Sequence, residues 1–133
     1  MTRAIQGRSP RTELCALLAE PGILIALSIY DGFSLCLVEQ AAYKTTNFSG
    51  ADISESHLGW TDAGIMGYTE NLRASGALAS ISSIPLAAEG ATGYGSALNV
   101  DFTVQDFERA GLACLMIEDQ VWPKGMATWK GSR

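Results

Sequence analysis

Acidic side chains recur in this sequence at the ends of apolar runs, which is where parallel α/β folds place their reactive groups. Tyr30-Asp31-Gly32 closes the first run and Ser49-Gly50-Ala51 the second. Glu89, followed by Gly93-Tyr94-Gly95, closes the third, and Glu118-Asp119-Gln120 the fourth. No cluster of His or Cys accompanies them, and oxygen donors without imidazole or thiolate suit a hard cation such as Mg²⁺. Gly90, Gly93 and Gly95 have the spacing G-x-x-G-x-G, the reverse of a dinucleotide fingerprint. No Gly-Lys-Ser/Thr follows them, so they are not a P-loop. Two readings of that loop stand: a turn that needs positive φ, or backbone N–H groups that cradle an oxyanion. Tyr94 within it is either a packing aromatic or a substrate contact. His57, in a polar stretch, reads as a solvated loop residue rather than a base. Trp60 and Trp122 read as packing or covering residues, and Asp119 as a supporting acid.

The bulk numbers narrow the function classes. Hydrophobic residues make up 47% and charged ones 17% of the 133 residues, so the chain is long and apolar enough to build one core. The net charge of −5 excludes a nucleic-acid partner, because no basic face exists to neutralise phosphates. It leaves room for a small acidic substrate, which needs only a local cationic pocket. No apolar run approaches the roughly 18 residues of a membrane span, so no membrane partner is expected. Cys15, Cys36 and Cys114 lie far apart inside apolar runs and read as buried free thiols in a reducing compartment, without metal spacing. Residues 1–11 carry Arg3, Arg8 and Arg11 and no acid, and read as a disordered start outside the folded domain of residues 12–133. A cytoplasmic location follows, with a mitochondrial one as the alternative that the three arginines leave open.

The elements that must position these groups alternate. Residues 12–20 read as a helix capped by Thr12 and ended by Pro21-Gly22. Residues 23–30 form a continuous apolar run of strand length, expected to be buried on both faces. A helix is expected over 33–42, a weaker strand over 43–49, and a loop containing Gly50 and Gly59. A long helix follows from Thr61 or Asp62 to Ile81, weakened by Gly64, Gly67 and Gly76 at roughly 1 kcal/mol each. Residues 84–89 read as a third strand. A helix capped by Asn99 runs to Arg109 with Val100, Val104 and Phe107 on its apolar face, and Gly111 stops it. Residues 113–117 read as a fourth strand. Strands alternating with helices give an α/β fold with a parallel sheet of about four strands. A flavodoxin-like sandwich fits this length, whereas a complete (β/α)₈ barrel needs about 250 residues.

The segments YDGFSLCLVEQAAY, SGADISESHLGWTDAG, TGYGSALNV, FERAGLACLMIEDQ and the pair Pro123-Lys124 resemble, in that order, the amino-terminal half of the isocitrate lyase / phosphoenolpyruvate mutase family. The methylisocitrate lyase, dimethylmalate lyase and phosphonomutase branch is the nearest in pattern. The resemblance implies half of a (β/α)₈ barrel, truncated after strand four. It also implies a Mg²⁺-dependent lyase or mutase acting on a small 2-oxo or 2-hydroxy dicarboxylate through an enolate-like intermediate. Family members assemble as homotetramers, and this chain is expected to self-associate. By resemblance Asp62, Glu89 and Glu118 hold the metal and Lys124 is the catalytic residue. Tyr30, Ser49, Gly50, Ala51, Gly93, Tyr94 and Gly95 hold the substrate. Two departures oppose activity. Ala91 and Glu89 stand where the family has the two Asp of D-x-D, which makes Mg²⁺ binding weak or lost. Met126, which has no proton to give, stands in the loop where the lyases carry a cysteine. A truncated or decayed, non-catalytic family member is the alternative.

Overall fold

The structure, a computed structural model, describes residues 9–121 and Lys124. Five α-helices and four strands follow in the order α1 (Pro10–Ala19), β1 (Leu27–Ile29), α2 (Gly32–Gln40), β2 (Thr46–Phe48), α3 (Gly50–Ile53), α4 (Tyr68–Ile81), β3 (Leu86–Glu89), α5 (Ala97–Arg109) and β4 (Cys114–Met116). A π-helical turn, Ser54–Leu58, continues α3. Side-chain oxygens set several of the helix starts. Ser9 Oγ accepts from the Thr12 N–H at the start of α1. Asp31 and Ser34 form a reciprocal capping box on α2. The Asp31 carboxyl is held below its usual range by the Ser34 N–H and hydroxyl, so its visible work is to start a helix.

All four strands are parallel and their spatial order is β1-β2-β3-β4. Each strand therefore pairs with its neighbour in sequence. A flavodoxin-like sheet would instead reverse direction at a switch point, with the order 2-1-3-4-5. The register lines up Ile29, Phe48, Ala88 and Leu115 on one row. Ile29, Phe48 and Ala88 of this row are fully buried and join Leu35, Val38, Ile53, Leu78, Phe107 and Leu112 in one core between sheet and helices. The alternate row, Ser28, Asn47, Ala87 and Cys114, faces away from that core, because side chains alternate along a strand.

Several expectations need correction. The first strand is three residues long rather than eight, and Ile23 and Ile25 ahead of it are 92% and 58% exposed. The run was expected to be buried on both faces; among the described residues the helices cover one face and no strand pairs with the outer edge of β1. All three cysteines are exposed, not buried. Cys114 lies on the uncovered row of the edge strand β4, and Cys36 follows the buried Leu35 on α2 and points away from its packed face. The loop expected around residues 50–59 is helical, and the helix expected from residue 61 or 62 begins only at Tyr68, because Gly64 is left-handed and Gly67 is extended. Ser9 and Ser96, rather than Thr12 and Asn99, are the caps of α1 and α5. Asn99 instead accepts the Ser96 N–H from the first turn. The buried side of α5 is Thr103 and Phe107, while Val104 is 41% exposed. Pro10 and Arg11 belong to α1 rather than to an irregular start; residues 1–8, Trp122, Pro123 and Met126 lie outside the described residues. Among the described residues no helix is long and apolar enough to cross a membrane.

The glycine loop after β3 is a steric requirement. Gly93 has φ +86°, and a Cβ there would lie 2.4 Å from Val100 Cγ2 on α5. Gly22 has φ +115° but open space around it. Gly93→Ala should therefore cost about 3 kcal/mol, strain plus overpacking, and Gly22→Ala only about 1 kcal/mol of strain. Urea unfolding of the two variants checks this, and equal losses would contradict it.

Candidate functional site

Glu89 is the last residue of β3. The ladder continues past it through Gly90 N–H to Met116 O and Glu118 N–H to Ala91 O, both 2.8 Å, which sets Glu118 beside it. Asp62 arrives from the segment between the π-turn and α4. One oxygen from each of Asp62, Glu89 and Glu118 lies within 4.8 Å of the other two. The Lys124 ammonium sits among them, donating to Asp62 Oδ2 at 2.7 Å, Glu118 Oε1 at 2.9 Å and Glu89 Oε1 at 3.4 Å. Its side chain is 3% exposed. The outer oxygens are also engaged. Gly50 N–H donates to Glu89 Oε2 at 3.1 Å, and the Gln120 amide to Glu118 Oε2 at 2.5 Å. A Cβ on Gly50 would come within 2.9 Å of Glu89 Oε1, so a side chain there would displace the Glu89 carboxylate from this position.

Burial pushes the Glu89 carboxyl above its usual range, and its contact with Glu118 adds to this. Burial opposes ionisation of Glu118 too. Hydrogen bonds with Glu89, Lys124 and Gln120 outweigh it and hold Glu118 low. Burial alone would lower Lys124, but its hydrogen bonds to Asp62 and Glu118 raise it, so the ammonium stays charged. Three acids around one cation give a site with residual negative charge.

Beneath the acids, Asn71 of α4 donates to Glu89 O at 2.7 Å and to Tyr94 Oη at 2.6 Å, and accepts from Ser75 Oγ at 3.0 Å. Sequence reasoning passed over Asn71. The available signal was its spacing: Asn71, Ser75 and Leu78 form the buried stripe of α4, with two polar residues where apolar ones are the rule. The Tyr94 ring meets Tyr68 edge to face at 5.6 Å, and Tyr68 O–H donates to Asp106.

The structure gathers Gly50, Asp62, Glu89, Glu118 and Lys124 around one point, and Asn71 links Tyr94 to the Glu89 backbone beside it. Ser49 caps α3, accepting from Asp52 N–H, and Ala51 follows it half-buried. Gly93 and Gly95 shape the loop, and Gly93 O accepts from Thr103. Tyr30 is 43% exposed at the end of β1 and gives its N–H to Ser34. His57 lies in the π-turn and is exposed, as are Trp60 and Asp119.

Residues 14–130 match the phosphoenolpyruvate phosphomutase family. The chain belongs to the phosphoenolpyruvate mutase / isocitrate lyase family. It is 32% identical to the 2,3-dimethylmalate lyase of Eubacterium barkeri over 81% of its own length and 37% of the relative's. It is 36% identical to the chloroplastic carboxyvinyl-carboxyphosphonate phosphorylmutase of Arabidopsis thaliana, over 92% and 37%. Among solved structures it superposes on the phosphoenolpyruvate phosphomutase of Streptomyces platensis subsp. rosaceus with a TM-score of 0.82 at 36% identity, covering 88% of this chain and 40% of that one. A phosphonopyruvate hydrolase in complex with oxalate and Mg²⁺ gives 0.83 at 32% identity, over 89% and 41%. The chain thus spans about 40% of the length of the relatives it matches, and its sheet is one half of a (β/α)₈ barrel.

The three carboxylates suit a hard divalent cation: their donors are all oxygen, and one oxygen of each lies within 4.8 Å of the other two. The aromatic support titrates separately. The hydrogen bond to Asp106, and then burial, push Tyr68 up to about 12. The fold favours the neutral phenol, so this contribution is complete below the unfolded value of about 10 and disappears as pH rises to about 12. The stability advantage of wild type over Tyr68→Phe should therefore shrink between pH 10 and 12, as read by urea unfolding. A difference constant with pH would contradict it.

Proposed function

We propose that this chain is the metal-ligand-bearing half of a divalent-cation-dependent lyase or mutase, acting on a small 2-oxo or 2-hydroxy dicarboxylate through an enolate-like intermediate. The observation that carries this reading is the convergence of Asp62, Glu89 and Glu118, from three separate segments, on one point at the carboxyl end of the sheet. Relatives that cover nearly the whole chain are named for lyase, decarboxylase and phosphorylmutase activities. When bound there, a divalent cation supplies positive charge next to the oxygen on which an enolate's negative charge develops. The chain's own groups do the remaining work. Asp62, Glu89 and Glu118 hold the cation, and Gly50 N–H fixes the Glu89 rotamer. Tyr94 Oη accepts from Asn71, which leaves its proton to donate to a substrate oxygen. Ser49 Oγ keeps its proton for the same use, beside the Ala51 backbone. Lys124 supplies a positive charge for a substrate carboxylate.

A second reading, a family member without turnover, is favoured by two residues. Ala91 offers a methyl group where the family pattern carries a second aspartate. Met126 offers a thioether where the lyases carry a cysteine. Both readings place a weakened cation site here. Calorimetry with Mn²⁺ should give an affinity of about a millimolar or weaker. Ala91→Asp should tighten it by about tenfold, and Glu89→Gln or Glu118→Gln should each abolish it. Micromolar binding that survives Glu118→Gln would overturn the shared-ligand reading.

A further inference from the structure

Five of the six carboxylate oxygens of the acid cluster accept hydrogen bonds, and Lys124 accounts for three of them. Glu89 Oε2 is taken by the Gly50 N–H and Glu118 Oε2 by the Gln120 amide. Apart from Lys124, no donor among the described residues engages Glu89 Oε1, Glu118 Oε1 or the Asp62 carboxylate. The Lys124 ammonium holds one oxygen of each acid: Glu89 Oε1 at 3.4 Å, Glu118 Oε1 at 2.9 Å and Asp62 Oδ2 at 2.7 Å. All three ammonium protons are spent this way, on a side chain that is 3% exposed. A divalent ion at about 2.1 Å from the same oxygens would stand almost on top of the ammonium, two positive centres where one fits.

We infer that Lys124 is the resident cation of this site: its ammonium and a divalent metal occupy the acid cluster in alternation, and the metal enters only as Lys124 leaves. The inference rests on the metal reading above and adds to it an order of events. Without a metal the site does not carry three uncompensated carboxylates, because the Lys124 ammonium offsets part of their charge. Metal entry then releases a buried ammonium next to the bound ion, where a substrate carboxylate can use it. The apparent metal affinity is reduced by the fraction of molecules in which Lys124 is seated.

Two measurements on the 133-residue chain test this. In the first, Mn²⁺ binding is compared by calorimetry between wild type, Lys124→Met and Lys124→Gln, the last keeping hydrogen-bond donors without charge. Both variants should bind Mn²⁺ about tenfold or more tightly than wild type. Each should also gain more in melting temperature from the ion than wild type does. In the second, wild-type protein is treated with an amine-acylating reagent and modification of Lys124 is quantified by mass spectrometry. Mn²⁺ should increase labelling of Lys124 while leaving Lys44, in an exposed ion pair with Glu20, unchanged. If wild type binds Mn²⁺ but the variants bind equally or more weakly and Lys124 labelling does not rise, the alternation is wrong and the metal site stands. If neither wild type nor variants bind Mn²⁺, the metal reading fails and the alternation fails with it. Should the variants not fold, the labelling of wild type decides alone.

Discussion

Carboxylates that converge need a counter-charge or a proton to offset their repulsion. Three carboxylate oxygens within 4.8 Å of each other repel by roughly 3 kcal/mol per pair at an effective dielectric of about 20, before any cost of burial. Much else at the carboxyl end of this sheet is arranged around that constraint. Lys124 answers the charge directly, the Gly50 N–H and the Gln120 amide spread it, and burial shifts Glu89 toward its neutral form. The absence of a side chain at Gly50 is part of the same answer, because a Cβ there would push the Glu89 carboxylate out of its place.

The sheet makes the convergence possible. With the strands parallel and in sequential order, the ends of β3 and β4 lie side by side, and the alternation of side chains points Glu89 away from the helix-packed core. The apolar row of Ile29, Phe48, Ala88 and Leu115 anchors the opposite face against the helices. Asn71 couples the two layers: buried on α4, it holds both the Glu89 carbonyl and Tyr94. The outer edges of β1 and β4 pair with no strand among the described residues, as befits half of a barrel.

Much of this was legible in the sequence. The strand-end acids, the parallel order and the helix stop at Gly111 could be read from apolar runs and turn residues, because those signals are local. Asp62 could be placed only by resemblance, since nothing in its spacing ties it to a strand end. The extent of the first strand could not be read, because apolar residues 23–26 carry the same signal whether a neighbouring strand pairs with them or not. The cysteines were misjudged for a related reason: hydropathy gives the character of a run but not which side of an edge strand is covered. Three polar contacts were invisible in advance. Asn71, the Gly50 to Glu89 hydrogen bond and the seating of Lys124 between acids 6 to 62 residues away in sequence all depend on three-dimensional approach.

The central claim is that Asp62, Glu89 and Glu118 form a single cation site. It is tested most directly by a crystal structure of the chain grown with excess Mn²⁺ and measured at the manganese absorption edge. The account predicts an anomalous peak at about 2.2 Å from one oxygen of each of the three carboxylates, with the Lys124 ammonium moved out of the cluster. A manganese peak elsewhere on the molecule, or one beside these acids with Lys124 still seated among them, would contradict it.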